Sequence, residues 1–313
     1  MAFQISQIAL CANDLPAAKS FYMDVFRFED ARSELACGQG VAEVQELGSY
    51  ASLFINWLTG RQKFAQIEMF QHVAPPQRPL PDDWQVSDIG WGRFGILVTD
   101  FDACLSRLAA HGVRTLTDPV ELGGQRRFSF RDPYAGIVVE VLEDSAGPAD
   151  DAKSSLPALA NVALSVKDLE GARKFWIDDL GLPEDRDFVI DMDRERLWGF
   201  EDADVDGFSV KLNDIRVEIM AYRRPAGRVL DDRLLSDQGI MNIGLGFRDR
   251  ETLVDFVQRL EKRGYQIPAP IGAEPIFATY MRGHEHVSVE MFSCPEDFEE
   301  RIGFVARSDM RLF

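Results

Sequence analysis

The strongest constraint on the fold of this chain is that it says nearly the same thing four times. Ser6–Leu15 (SQIALCANDL), Gly92–Phe101 (GRFGILVTDF), Ala160–Leu169 (ANVALSVKDL) and Met241–Asp249 (MNIGLGFRD) each pair a short alternating apolar run with an Asp that opens a helical pattern. Seven positions before that Asp stands a polar residue: Gln7, Arg93, Asn161 and Asn242 in turn. A Glu recurs on the last strand-like run of each copy, at Glu68, Glu140, Glu218 and Glu290. From Asp to Glu the odd copies span 54 and 50 residues (Asp14 to Glu68, Asp168 to Glu218), the even ones 40 and 41 (Asp100 to Glu140, Asp249 to Glu290). An odd–even pair has therefore itself been doubled, and the repeating element is a β-α-β-β-β unit.

Local signals support that reading. Asp14 is placed to cap a helix with Pro16 just inside it, where a missing N–H costs nothing. Leu15, Ala18, Tyr22, Val25 and Phe26 then share one helical face. Gly112, Gly181 and Gly264 close the other three helical patterns. The stretch Asp144–Ser155 is small and polar without periodicity. It predicts a linker over 144–157, separating a first domain at 1–143 from a second at 158–294, with a tail at 295–313.

Composition narrows the function classes. A length of 313 residues suits about two domains. A net charge of −18 argues against nucleic acid or an anionic membrane as partner, since phosphates would be repelled. The apolar runs are too short to span a bilayer, and the first residues lack a signal-peptide pattern. Cys11, Cys37, Cys104 and Cys294 lie far apart, which predicts reduced thiols and a cytoplasmic protein. The expected partner is a small molecule, and exposed sheet edges leave room for a homo-oligomer.

A paired βαβββ unit with a polar residue on its first strand and Glu on its last resembles the vicinal oxygen chelate superfamily. That group includes glyoxalase I, bleomycin-resistance proteins and type I extradiol dioxygenases. The helix entry Val166-Lys167-Asp168-Leu169-Glu170-Gly171-Ala172-Arg173-Lys174-Phe175-Trp176, with Leu180-Gly181 after it, carries the likeness. Four modules in one chain look most like the extradiol enzymes. The resemblance implies an α+β fold: four βαβββ modules forming two tandem glyoxalase-like domains with incompletely closed eight-stranded barrels. Each barrel would hold a metal on first-strand and last-strand residues. The sequence leaves open whether modules pair one with two and three with four, or across the linker.

Extradiol chemistry would need two His and a Glu around iron. The matching residues of the second half are Asn161, Asn242 and Glu290, so iron is disfavoured. Their oxygens, with Glu218, suit a divalent metal such as Mg²⁺, Mn²⁺ or Ca²⁺, with Zn²⁺ also admitted, or no cofactor at all. In the first half Gln7, Glu68 and Glu140 form the candidate metal set, and Arg93 replaces the His of the glyoxalase I pattern. Arg93 either holds an anionic substrate or fills a former metal site between carboxylates. Asn161 and Asn242 are also candidate substrate contacts. His72, two strand steps beyond Glu68, could replace a ligand. His284, His286, Ser288 and Glu290 alternate along a strand, which pairs His286 with Glu290 for acid–base work. Tyr280 fits the family's Tyr before the final strand, and the resemblance makes it a further catalytic candidate. The expected activity is proton transfer on a small oxygenated aromatic or oxo-acid compound, with Glu140 or Glu290 as base. The alternatives are a metal-free binding or sequestering protein and a divergent ring-cleaving dioxygenase.

Overall fold

The computed structural model describes residues 3–144, 152–230 and 232–307. The first module comprises β1 (Phe3–Cys11), α1 (Leu15–Phe26), β2 (Glu29–Gly38), α2 (Gln39–Val44), β3 (Ala51–Thr59) and β4 (Gln66–Ala74). The second comprises β5 (Gly90–Val98), α3 (Phe101–Ala110), β6 (Val120–Leu122), β7 (Gln125–Arg131) and β8 (Val138–Glu143). In the third, β9 (Ala158–Ser165) leads into α4 (Leu169–Arg173), which continues as a π-turn, then α5 (Met192–Glu195), β10 (Asp204–Leu212) and β11 (Ile215–Arg224). The fourth contains β12 (Gly239–Phe247), α6 (Arg250–Glu261), β13 (Ile271–Ala273), β14 (Ile276–Arg282) and β15 (Ser288–Ser293).

The repeated Asp earns its place as a helix cap. Asp14 accepts from the Ala17 N–H at 3.1 Å, Asp168 from Glu170 and Gly171, and Asp249 from Thr252 at 2.7 Å. Each satisfies a donor that the first helical turn leaves free. Asp100 departs from the pattern: its carboxylate takes Arg107 at 2.8 Å instead.

Strand order answers the pairing question. One sheet runs β13-β14-β15-β12-β1-β4-β3-β2, the other β10-β11-β9-β5-β8-β7-β6. Module one therefore joins module four, and module two joins module three. Each join is an antiparallel seam, β1 on β12 and β5 on β9. The two curled, open half-barrels thus each draw on both halves of the chain and do not coincide with segments 1–143 and 158–294. Half of the expected linker, residues 145–151, lies outside the described residues, as do residues 308–313 of the tail.

The second sheet has seven strands where eight were expected. A single bridge from Glu184 to Val210 is what remains of the missing strand. The residues after it fold inward as α5 and a 3₁₀ turn over Arg196–Trp198. The sheets share one apolar core, in which α1 of the first module packs on the second sheet. Tyr22 stacks on Phe94 and Phe21 meets Phe130. Burying such rings is worth about 1.5–3 kcal/mol each, so the sheets are welded rather than tethered. Among the described residues no helix is long and apolar enough to cross a membrane.

Candidate functional sites

The eight polar and acidic positions repeated in the sequence all point inward, but the structure sorts them differently from the chain halves. In the eight-stranded cup Ala9 of β1 lies between Glu68 of β4 and Asn242 of β12. Gly244 of β12 lies between Gln7 of β1 and Glu290 of β15. The small residues let four long side chains converge above them. A Cβ at Gly244 would collide with Gln7 Oε1. The seven-stranded cup repeats the arrangement, with Ala163 between Glu218 and Arg93 and Gly95 between Asn161 and Glu140. A Cβ at Gly95 would stand 2.5 Å from Asn161 Nδ2.

This sorting corrects both expected metal sets. Glu140 lies in the other sheet from Gln7 and Glu68, and Asn161 in the other sheet from Asn242 and Glu290. Cross-linker pairing is the physical reason: the strands that carry these residues hydrogen-bond across the β1–β12 and β5–β9 seams.

In the eight-stranded cup Gln7, Glu68, Asn242 and Glu290 are all buried. Among the described residues Gln7 Oε1, Glu68 Oε2, Glu290 Oε2 and both polar atoms of the Asn242 amide lack a hydrogen-bond partner. Glu68 Oε1 accepts from Trp57 Nε1 at 2.9 Å, across the β3–β4 register. Burial pushes the Glu68 carboxyl up to about 8, against the opposing pull of the Trp57 donor. Glu290, buried and facing Glu68, is pushed well above the carboxylate range. Two carboxyls without a neighbouring cation cannot both ionise in so dry a place. Tyr280, paired with Glu290 across β14 and β15, lies beside the same group. Burial and the charges of Glu290 and Glu68 hold its hydroxyl protonated.

The seven-stranded cup is filled instead. Arg93 Nη2 donates to Glu218 at 2.9 Å. Arg194, delivered by α5, donates to Glu218 at 2.7 Å and to Glu140 at 2.7 Å. Arg127 reaches Glu140 at 3.0 Å, and Asn161 Nδ2 at 3.3 Å. Trp198 roofs the cluster, 4.5 Å from the Arg93 guanidinium carbon. Burial alone would raise Glu140, but Arg194, Arg127 and Arg93 outweigh it and hold the carboxyl at about 2. Arg93 is paired with Glu218 rather than with Glu68 or Glu140, the carboxylates of its own chain half. A carboxylate bonded to two guanidiniums, with a third nearby, is a poor proton acceptor, which argues against Glu140 as the base.

Two further expectations change. His286 does not sit on the strand with Glu290: His284–His286 form a 3₁₀ turn, and β15 begins at Ser288. Within that turn the Glu285 carboxylate reaches back to accept the Lys167 and Asp168 N–H groups at 2.8–2.9 Å. His72 faces into the cup, but its Nε2 meets Gln45 Oε1 at 3.0 Å and burial depresses its pKa to about 4. The acidic Asp202–Gly207 stretch is a strand entry whose Asp202 and Asp204 are paired with Arg224 and Arg223.

Sequence reasoning missed Trp57, Gln45 and Arg194. Gln45 follows α2, and buried Ala42 of that helix packs with Leu47 against Ala9, Cys11 and Phe70 of the first cup. Arg194 comes from the matching insertion over the second cup. Both insertions lie in the odd modules, whose extra Asp-to-Glu spacing was the available signal. The small residue two places after each inward polar residue (Ala9, Gly95, Ala163, Gly244) was another.

The sequence pattern of the Glyoxalase/Bleomycin resistance protein/Dioxygenase superfamily matches residues 4–141. The uncharacterised protein YaeR of Escherichia coli (strain K12) is 27% identical over 143 residues, covering 45% of this chain and 95% of its own. Glyoxalase I from Zea mays superposes with a TM-score of 0.62 over 96% of both chains at 14% identity. A Bacillus subtilis protein named provisionally as a dioxygenase gives 0.66 over 96% of this chain and 89% of its own, again at 14% identity. These last two likenesses establish the shared fold.

Proposed function

We propose that this chain, whose residues 4–141 match the glyoxalase/bleomycin resistance/dioxygenase superfamily pattern, uses its eight-stranded cup to move a proton on a small oxygenated substrate. The observation that carries this is the pair of buried, cation-free carboxyls, Glu68 and Glu290, each with an orphan oxygen. Their environments differ, and that difference assigns the roles. The Trp57 N–H favours the charged form of Glu68, so Glu68 ionises first and is the base. Glu290 has no such donor, keeps its proton and is the acid. Gln7 and Asn242 offer amide groups to a substrate carbonyl or hydroxyl, and the Tyr280 hydroxyl can donate at the same place.

The same four residues fit a hard divalent cation, because the orphan groups form an all-oxygen donor set without thiolate or imidazole. Among the described residues no three of His, Cys, Asp or Glu converge as ligands, so such an ion would depend on the two amides. When bound, Mg²⁺ or Mn²⁺ on Gln7, Glu68, Asn242 and Glu290 would polarise a substrate oxygen and favour the ionised carboxyls. Glu68 would still take the proton, and the buried walls would still keep bulk water from competing for it.

The experiment is solvent-deuterium exchange. A panel of small 2-oxo and 2-hydroxy acids is incubated in D₂O with the protein, and carbon-bound deuterium is read by NMR. Enzyme-dependent exchange that disappears in Glu68→Gln supports the assignment. Exchange that persists unchanged in both Glu68→Gln and Glu290→Gln overturns it.

A further inference from the structure

Where the connection into β5 meets the connection into β12, a cleft of about 390 Å³ opens beside the eight-stranded cup. Trp84, Trp91, Leu230, Ile240 and Met241 give its wall an apolar, partly aromatic stretch beside the polar and charged side chains that line the rest. That volume and character suit a small organic ligand. Three carboxylates line the cleft, and each is already engaged. Asp237 holds Arg78 at 2.6 and 2.9 Å and accepts the Leu234 N–H. Glu46 takes Arg282 at 3.0 Å. Glu285 accepts two backbone N–H groups near α4.

Arg233 is the exception. Its Nη2 donates to the Gln238 carbonyl, and among the described residues no carboxylate comes within ion-pair distance of it. Burial makes its charge harder to hold, and Asp237 supports it only from beyond contact. The guanidinium lies over Gly239, where a Cβ would stand 3.3 Å from Nη2 and where φ is +139°. In a chain with 52 acidic and 34 basic side chains, a half-buried guanidinium without a carboxylate is out of keeping with its surroundings. Such a cation is stabilised by an anion brought from outside.

We propose that this cleft is a binding site for a small aromatic monocarboxylate, with Arg233 gripping the carboxylate and Trp84 and Trp91 flanking the ring. The planar fork of Arg233 matches two carboxylate oxygens, and the indoles supply apolar area for the ring. The site is distinct from the Gln7–Glu68–Asn242–Glu290 group, and its binding does not require proton transfer there.

The test is calorimetric titration of the full chain with phenylacetate and with phenylacetamide, its neutral counterpart. Phenylacetate is expected to bind once per chain and at least tenfold more tightly than the amide, and to perturb tryptophan fluorescence. Arg233→Met and Arg233→Gln should each weaken phenylacetate at least tenfold, while Glu290→Gln should leave its affinity unchanged. Equal affinity for acid and amide, or no binding at millimolar phenylacetate, overturns the proposal. So does loss of binding in Glu290→Gln with retention in Arg233→Met, which would place the ligand in the cup. The acid–amide comparison uses the wild-type chain, so the test stands even where an Arg233 variant fails to fold. A failure of deuterium exchange leaves these outcomes untouched.

Discussion

Raising the pH should weaken the metal-free protein over a range where most proteins are indifferent, and Glu68 supplies the reason. Its carboxyl is raised from 4.5 to about 8 by burial, so the folded chain binds that proton more tightly than the unfolded one. The resulting stabilisation is complete below pH 4.5, falls as pH climbs, and is gone above about 8. At about 1.4 kcal/mol per pH unit the full effect is at most about 5 kcal/mol. His72 opposes it at the acid end. Its folded pKa is depressed from 6.5 to about 4, so its contribution grows as pH rises to 6.5 and is constant thereafter. The clean window is therefore pH 6.5–8, where Glu68 alone should cost roughly 2 kcal/mol. Asp132, Glu195 and Glu290 are also raised and push in the same direction, so the decisive quantity is the difference between wild type and Glu68→Gln. Urea midpoints measured in EDTA should fall by about 0.5–1 M across the window for wild type, and less for the variant. A wild-type midpoint that holds steady or rises, or equal slopes in the two proteins, would refute a protonated Glu68 in the cup.

The other predictions concern both cups. Adding Mn²⁺ or Mg²⁺ to EDTA-treated protein should release protons, measurable in weak buffer, and should raise the melting temperature more at pH 8 than at pH 6; a pH-independent shift would place the ion elsewhere. In the seven-stranded cup Arg194→Ala strips Glu140 and Glu218 of their shared cation and should cost about 3–5 kcal/mol by urea denaturation, whereas a loss under 1 kcal/mol would mean the cluster is not holding the sheet. Glu290→Gln should lower deuterium exchange by about 10²–10⁴ while leaving the far-ultraviolet circular dichroism unchanged; a smaller effect would transfer the acid role to Tyr280.

How far the sequence went depends on whether the physics was local. The caps at Asp14, Asp168 and Asp249 and the inward aim of the eight polar residues follow from strand alternation and helix entry, and both are short-range. Pairing of the modules is not short-range. The seams β1–β12 and β5–β9 join residues far apart in the chain, and nothing in either strand's own pattern names its neighbour. Assigning Gln7 to Glu140 rather than to Glu290 was the direct consequence. Yet the chain did encode what separates the two cups. The extra 9–14 residues in the odd copies had no place in a bare βαβββ unit, so they had to lie over something. In the first module they bring a neutral amide, Gln45, against His72. In the third they bring Arg194 between two carboxylates. A guanidinium held by charge-assisted bonds is harder to displace from its cup than an amide making neutral ones. On the proposed reading, the inserted segments, more than the repeated polar positions, therefore decide which of the two cups can take a substrate.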